Sequence, residues 1–258
     1  MKVFDEVGRG TISVFAYAGG VAELLADSLR FIAAFRIRVR ETFDQAYLLG
    51  VQSWAIVLLT SLFTGMVISL ESAAQAANYG ASTLVGGAVA FASARELGPM
   101  LSAVVVAGRT GAAIAAELGS MVVTEQIEAL LSLGLSPTRM LVVPRLVALV
   151  AMLPLLTVMA VVVSIVGGMW VANITAHIST ESFITSARQA LPFGDVLKGL
   201  LKTIVFAVII AIIGAYQGLQ TRGGAAGVGK STTGAVVTSI ILIFVFNFAL
   251  SYLLFKPQ

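Results

Sequence analysis

The sequence predicts an all-α integral membrane protein with five transmembrane helices. Of its 258 residues, 58% are hydrophobic and only 11% are charged, whereas soluble domains carry roughly 25% charged residues. A helix needs about 20 apolar residues to cross the hydrocarbon core, and five nearly charge-free runs are long enough. The spans are expected near residues 52–77, 83–108, 143–171, 199–219 and 234–255. No linker or repeat divides the chain, so residues 1–258 are predicted to form a single domain.

The first 44 residues carry charges too often to span, and they predict a helix lying in the membrane interface. Apolar or small side chains recur there at helical spacing, with the charges largely on the other face. These side chains are Leu24, Leu25, Ser28, Leu29, Ile32 and Phe35. The membrane core is then expected to comprise residues 45–258. The N-terminus lacks the basic-then-apolar pattern of a cleaved signal peptide.

Two short polar helices are expected between spans. The first lies in the break at residues 109–142, where Thr124 can cap a helix and Gly134 and Pro137 can end it. Its carboxylates, Glu125 and Glu128, make it a suitable docking element for another protein. The second short helix is predicted at Ser182–Leu191, before Pro192.

The distribution of basic residues orients the chain. With the N-terminus in the cytoplasm, five spans place the C-terminus outside, and 11 of the 16 Lys and Arg residues fall on the cytoplasmic side. These are Lys2, Arg9, Arg30, Arg36, Arg38, Arg40, Arg109, Arg139, Arg145, Arg222 and Lys230. The other five are Arg95, Arg188, Lys198, Lys202 and Lys256. Basic flanks of spans account for the net charge of +3 better than a nucleic-acid surface does.

Several kinds of chemistry are excluded by composition. The chain has no cysteine, which rules out disulfides, thiolate metal sites and cysteine nucleophiles. Its single histidine, His177, is interpreted as a residue beside a span end, so neither a metal site nor a catalytic residue is predicted.

One motif is interpreted as a chance match. Residues 224–231 read GAAGVGKS and fit the nucleotide-binding pattern G-x-x-x-x-G-K-[ST]. That motif works where a buried strand leads into a glycine turn and a helix, whereas here it joins two apolar runs. A glycine-rich turn between transmembrane helices is predicted instead, and no ATPase site is expected in this chain.

The pair Arg95-Glu96 interrupts an otherwise apolar run. A charge at the bilayer centre costs about 2.5–3.5 kcal/mol on insertion scales, so such residues tend to face a protein interior or a wet cavity. Two alternatives stay open for this pair: a cavity, or a span end at the headgroup level. Glu71, near the end of the first span, is a weaker example of the same kind.

Taken in order, these motifs resemble the MlaE/YrbE family, the permease subunits of ABC transporters associated with MCE proteins. The resemblance runs from about residue 45 to the C-terminus. The residues that carry it are Arg95–Pro99, Ala107–Arg109 with Gly111 and Ala112, Ala116–Met121, Thr124–Leu130, Pro144-Arg145, Leu153–Leu156, Gly227–Gly229, Thr232-Thr233 and Val236-Val237.

The resemblance implies a specific assembly. It implies a homodimer in the bacterial inner membrane, a separate cytoplasmic ATPase that binds ATP and Mg²⁺, and a periplasmic MCE-domain protein. A small cytoplasmic STAS-type subunit is a further candidate partner. The dimer is expected to hold phospholipid in a pocket facing outward, and no cofactor is expected in this chain.

The resemblance also implies roles for individual residues. A pocket lined by the first two spans and the last would take lipid, with Arg95 meeting the phosphate and Glu96 holding Arg95 or a neighbouring donor. The lipid-binding candidates are Ile68, Leu70, Glu71, Gln75, Tyr79, Arg95, Glu96 and Asn247. The coupling helix would be about Val122–Leu133. Candidates for coupling to the ATPase are Arg109, Glu125, Gln126, Glu128 and Leu131.

Other classes of protein stay possible at the level of the sequence. An ion-coupled secondary transporter of a hydrophobic substrate would use Glu71 and Glu96 as proton sites and would need no ATPase. A membrane assembly scaffold would transport nothing. A membrane enzyme is disfavoured because no nucleophile–base pair is evident.

Overall fold

The computed structural model describes residues 2–35 and 37–255, which are helical and contain no β-strand. Among the basic residues used for orientation, Arg36 and Lys256 lie outside the described residues, as do the side chains of Lys2 and Arg9. The α-helices in this part of the chain are α1 (Lys2–Ala33), α2 (Val39–Gln45), α3 (Trp54–Asn78), α4 (Val85–Ala92), α5 (Gly98–Val106), α6 (Ala112–Val123), α7 (Gln126–Ser132), α8 (Val143–Ala176), α9 (Thr180–Ala190), α10 (Phe193–Leu219) and α11 (Gly224–Leu254).

Within the described residues, five helical segments are long and apolar enough to cross a membrane, which confirms the predicted number. Span 2 extends past the predicted 83–108 because its charged residues find partners within the bundle: Arg109 contacts Ser53, and Glu117 pairs with Arg145. The spans are span 1 (Val39–Asn78), span 2 (Ser82–Val123), span 3 (Thr138–Ala176), span 4 (Phe193–Leu219) and span 5 (Gly224–Leu254).

Spans 1 to 3 are not continuous α-helices. Each contains at least one turn of π-helix, in which one extra residue per turn widens the backbone and turns the following side chains. The π-turns are Ala46–Gly50, Ser93–Leu97, Ala107–Gly111 and Thr138–Val142. Two of them carry the charged residues Arg95, Glu96 and Arg109 within span 2.

Small residues let the spans approach closely. At the crossing of α3 and α8, Gly65 lies against the Ser164 backbone, and the Ser69 hydroxyl donates to the Gly168 carbonyl oxygen at 2.7 Å. Close approach of this kind is how transmembrane helices associate, because lipid provides no hydrophobic driving force between them.

Helix α1 packs across the end of the bundle that also carries α7, called the α7 side below. Its Tyr17 ring meets the Tyr216 ring edge to face, with centroids 5.0 Å apart, and the Gln217 side-chain amide donates to the Tyr17 hydroxyl at 3.0 Å. Burial raises the pKa of Tyr17, so the phenol stays neutral and can accept this bond. The amphipathic prediction is confirmed, although Leu29 (51%) and Phe35 (92%) are exposed rather than part of the buried face.

The short helix of the polar break is present as α7, but its predicted cap is wrong. The Thr124 hydroxyl donates to the Ser120 carbonyl oxygen at 2.9 Å and so belongs to the end of α6. Glu125 occupies the N-cap position instead, with a left-handed backbone (φ 59°) and no side-chain cap bond. Gly134, at φ 71°, follows the helix as expected. Because α6 runs to Val123, the separate helix is shorter than Val122–Leu133.

The opposite end of the bundle, the α9 side, carries a second short helix that matches the prediction closely. Its N-cap is Ser179, whose hydroxyl accepts from the Ser182 amide at 3.3 Å. Helix α9 packs on α4, and the Gly87 amide donates to the Ser186 hydroxyl at 2.9 Å.

The nucleotide-motif look-alike has helical geometry. Residues 224–231 form the first turns of α11 rather than the predicted turn, which is confined to residues 220–223. Gly223, at φ 87°, ends that turn. No strand precedes the segment, so the strand–loop–helix cradle of a nucleotide site is not formed.

The α3–α8 crossing yields a stability prediction. Gly65→Ala would drive a Cβ into the Ser164 carbonyl, and overpacking of this kind costs roughly 1–3 kcal/mol. We expect a lower free energy of unfolding in detergent, measured by circular dichroism. Gly229→Ala is the matched control, because open space surrounds that helical glycine. Equal stability of both variants would contradict this account of the crossing.

Candidate functional site

Arg95 and Glu96 lie on the α9 side of span 2, facing the first turns of α10 and the last turns of α11. Their neighbours on α10 are Asp195 and Lys202, the latter nine residues, or about 14 Å, beyond Phe193. The contacts of the pair therefore extend from the α9-side end of α10 to within about 6 Å of its midpoint. We call Arg95, Glu96, Asp195, Lys198, Lys202, Asn247 and Ser251 the charge cluster.

Lys202 is the centre of the charge cluster. Its side chain is completely buried, and its ammonium contacts the Glu96 carboxylate at 2.9 Å. It also donates to the Arg95 carbonyl oxygen at 2.9 Å and to the Ser251 hydroxyl at 2.7 Å, with the Asn247 amide oxygen at 3.3 Å. This set of acceptors satisfies a charge that would otherwise be very costly away from water.

The Glu96 carboxylate links span 2 to both α10 and α11. Besides the Lys202 contact, Oε1 accepts from the Ser251 hydroxyl at 2.9 Å, and Oε2 accepts from the Asn247 amide nitrogen at 3.0 Å. The Glu96 side chain is still 39% exposed. Of the two roles expected for this residue, the structure therefore shows contact with neighbouring donors rather than with Arg95.

Arg95 is held by aromatic rings. Its guanidinium carbon lies 4.4 Å from the Phe91 ring centroid and 3.9 Å from that of Phe255, which is cation–π geometry. Asp195 is 3.7 Å away and is shared with Lys198 at 3.8 Å. The charge cluster thus contains three cations (Arg95, Lys198 and Lys202) and two carboxylates (Glu96 and Asp195). Its one excess positive charge suits an anion.

The structure brings together only part of the predicted lipid set. Arg95, Glu96 and Asn247 meet in the charge cluster. The remaining candidates lie on α3, which packs on α8, α4 and α5 and makes no extensive contact with α11 in the described residues. Of these α3 residues, Ile68 is partly buried, and Leu70, Glu71, Gln75 and Tyr79 are exposed.

Four members of the charge cluster were not predicted from the sequence: Asp195, Lys198, Lys202 and Ser251. The two lysines were missed because the basic residues after Pro192 were counted only as orientation signals. A signal was available: Asp195, Lys198 and Lys202 are spaced at i, i+3 and i+7, which places three charges on one face of an otherwise apolar helix.

The predicted coupling residues also separate into two places. Glu125, Gln126, Glu128 and Leu131 (58% exposed) lie together at the tip of α7. Arg109 lies inside the bundle, where its guanidinium donates to the Ser53 hydroxyl at 2.7 Å and to the Gln52 amide oxygen at 3.1 Å.

The described residues hold no group of three or more His, Asp or Glu side chains that could bind a metal ion. His177 ends α8 in a left-handed conformation, φ 52°, as the predicted residue beside a span end.

The charge cluster generates a prediction of asymmetric stability. Glu96→Gln leaves a buried ammonium without a countercharge, and breaking a buried pair costs about 3–5 kcal/mol. Lys202→Met leaves a carboxylate that is partly exposed and can rehydrate, so the loss should be smaller. We expect the double variant to be more stable than Glu96→Gln alone in thermal unfolding. A double variant no more stable than Glu96→Gln would contradict the pairing.

Comparison with known proteins is consistent with this architecture. The family model described as Permease MlaE matches residues 42–253. A probable ABC transporter permease protein of Synechocystis sp. is 47% identical over 221 residues, which cover 86% of this chain and 84% of that protein. A probable ABC transporter permease protein of Rickettsia typhi is 37% identical over 261 residues, covering 99% of both chains. The chloroplastic protein TRIGALACTOSYLDIACYLGLYCEROL 1 of Arabidopsis thaliana is 39% identical over 221 residues, or 86% of this chain and 63% of that protein. The chain therefore belongs to the MlaE family of ABC transporter permeases.

Proposed function

We propose that this chain moves phospholipid between the inner membrane and a periplasmic MCE-domain protein, driven by a separate ATPase. The observation that carries this proposal is the charge cluster, which has one positive charge in excess and borders apolar surface. A diacyl phospholipid needs both features side by side, because its phosphate is anionic and its chains are apolar.

Arg95 is the residue we assign to the phosphate. Arginine suits this role because its planar guanidinium can donate two parallel hydrogen bonds to phosphate oxygens. The Phe91 and Phe255 rings hold the guanidinium in place, and its contact with Asp195 is long, at 3.7 Å, so N–H donors remain for a ligand. Asp195 and Glu96 offset part of the positive charge, which would weaken the grip enough to permit release.

The apolar part of the pocket is assigned to span 5. It is the span least covered by the rest of the chain, with only 11% of its most apolar window buried. Large side chains cover its exposed face: Ile241, Phe244, Val245, Phe248 and Tyr252. We assign this face to lipid chains and to a second copy of the chain, in a homodimer.

The α3 candidates enter the pocket only through that second copy. Within the protomer, Leu70 is 46% exposed and Tyr79 is 85% exposed, so both are available to a second copy. In the proposed dimer, α3 of one protomer lies near α11 of its partner and completes the pocket with Ile68, Glu71 and Gln75.

One relative supports a lipid substrate by its name. The Arabidopsis protein is named for trigalactosyldiacylglycerol, a glycerolipid with two acyl chains. The two acyl chains of such a lipid agree with the long apolar face of span 5, whereas the anionic phosphate is assigned from the charge cluster alone.

Energy is proposed to enter through α7. An ABC transporter permease works with an ATPase, and we place ATP and Mg²⁺ on that partner. The α7 tip exposes Leu131 (58%) and Leu133 (75%) beside Glu125 and Glu128, a mixture of apolar and acidic side chains suited to a protein interface. A STAS-type subunit would bind on the same side.

This assignment fixes the proposed orientation. The α7 side faces the cytoplasm of a bacterial inner membrane, with α1 along its interface, and the α9 side faces the periplasm. The charge cluster then lies at the periplasmic end, where an MCE protein can receive lipid.

The lipid site is testable by photocrosslinking. A benzophenone side chain replacing Phe91 should capture labelled phospholipid, and Arg95→Gln should reduce that yield about ten-fold, because a hydrogen bond to a charged group contributes about 1.5–3 kcal/mol. The control is a benzophenone at Val162, which is exposed on α8 and should report bulk lipid independently of Arg95. Equal effects of Arg95→Gln at both positions would contradict a phosphate site.

The coupling role is testable by co-purification. Glu125→Lys combined with Glu128→Lys reverses the charge at the α7 tip and should reduce ATPase recovery at least about five-fold, since like charges at an interface repel. Glu181→Lys, an exposed change on α9, is the control and should leave recovery unchanged. Recovery of the ATPase at the natural level by the double variant would contradict docking at α7.

A further inference from the structure

A cavity with both polar and apolar lining lies on the α7 side, away from the charge cluster. Its volume is about 550 Å³, within the roughly 300–1,000 Å³ typical of small-molecule sites. Span 1 and span 2 form its walls, and the lining includes Gln45, Leu48, Gln52, Arg109, Ala113 and Glu117.

The cavity contains an arginine without a counter-ion. Arg109 has no carboxylate within ion-pair distance in the described part of the chain, unlike Arg95, which has Asp195, and Arg145, which has Glu117. Intramembrane charges are costly and are usually paired. An unpaired one therefore points to a ligand that supplies the negative charge.

Arg109 is also held ready for such a ligand. Ser53 and Gln52 each accept one of its hydrogen bonds, at 2.7 and 3.1 Å. A guanidinium has five N–H donors, so three are left for a ligand while the side chain is fixed in position. This arrangement suits the several oxygens of a phosphate group.

The depth of the cavity favours a membrane lipid. Next to Arg109, Gly111 lies beside Ile210 and Gly214, which come nine and five residues before the end of α10 at Leu219. At 1.5 Å per residue, Arg109 is about 13 Å inside that end. Leu48 and Ala113 add apolar surface along the wall, as acyl chains require.

We propose that this cavity binds a phosphate-bearing headgroup, taken from a phospholipid of the leaflet on the α7 side, with Arg109 as its anionic-group ligand. The site is distinct from the charge cluster at the other end of the spans. The inference rests on the proposed function only in taking phospholipid as the molecule that the permease handles.

The test is native mass spectrometry of the full-length, delipidated chain titrated with phosphatidylglycerol. Arg109→Gln should lower the fraction carrying two bound lipids about ten-fold, because the proposed site in the charge cluster can still hold the other lipid. Arg109→Lys keeps the positive charge but cannot donate two parallel hydrogen bonds, so it should show an intermediate loss of lipid binding. Lys230→Gln removes an exposed basic residue on the same side and should bind as the natural chain does. Lipid binding unchanged by Arg109→Gln would overturn the proposal.

Two further variants keep the result interpretable. Ala113→Leu narrows the cavity while leaving Arg109 in place, so lost lipid binding with normal thermal stability supports the site and retained binding contradicts it. Arg95→Gln tests the charge cluster. If lipid binding falls in Arg95→Gln but is unchanged in Arg109→Gln, this inference fails while the proposed function stands.

A last arm identifies the source of the ligand. The chain is incubated with inorganic phosphate, whose adduct differs in mass from a lipid adduct. An Arg109-dependent phosphate adduct without an Arg109-dependent lipid adduct would support a phosphate site and overturn its assignment to lipid.

Discussion

The buried ammonium of Lys202 constrains the α9 side of the molecule more than any other group. A charge with no exposed surface in an apolar bundle must be surrounded by acceptors. Span 2 supplies the Arg95 carbonyl oxygen and the Glu96 carboxylate, and span 5 supplies the Ser251 hydroxyl. Three spans therefore meet at one point, in a geometry fixed by hydrogen bonds. The excess positive charge of the cluster, on which the proposed binding of an anion rests, follows from this arrangement.

The arginines on the two sides of the bundle, Arg95 and Arg109, have different electrostatic surroundings. Arg95 is surrounded by rings and carboxylates, so its charge is largely compensated before any ligand arrives. Arg109 is oriented by neutral partners only, so its charge is uncompensated. If other contacts were equal, an anionic ligand would therefore bind more tightly beside Arg109 than beside Arg95. The proposed affinity would then be higher on the α7 side than on the α9 side.

The sequence predicted the five spans, the interfacial helix and both short helices because each depends on local hydrophobic pattern. It predicted Arg95, Glu96 and Asn247 but not Lys202, because the burial of a lysine within a span depends on tertiary contacts. Thr124 was assigned to the wrong helix for a similar reason: a hydroxyl can serve the helix before it or after it, and the choice depends on where α6 ends. The separation of α3 from α11 is also a property of packing that no linear pattern records.

The two π-turns of span 2 have a consequence for how this chain can vary. A π-turn holds one residue more than the α-helical turn it replaces, so losing a single residue from Ala107–Gly111 would restore a regular helix. Every side chain on one side of the deletion would then rotate by about 100° about the helix axis. Glu117 would turn away from Arg145, although each residue would keep its identity. Relatives that retain every charged residue of span 2 but differ in length by one residue between Arg95 and Glu117 would therefore present a different face to the neighbouring spans.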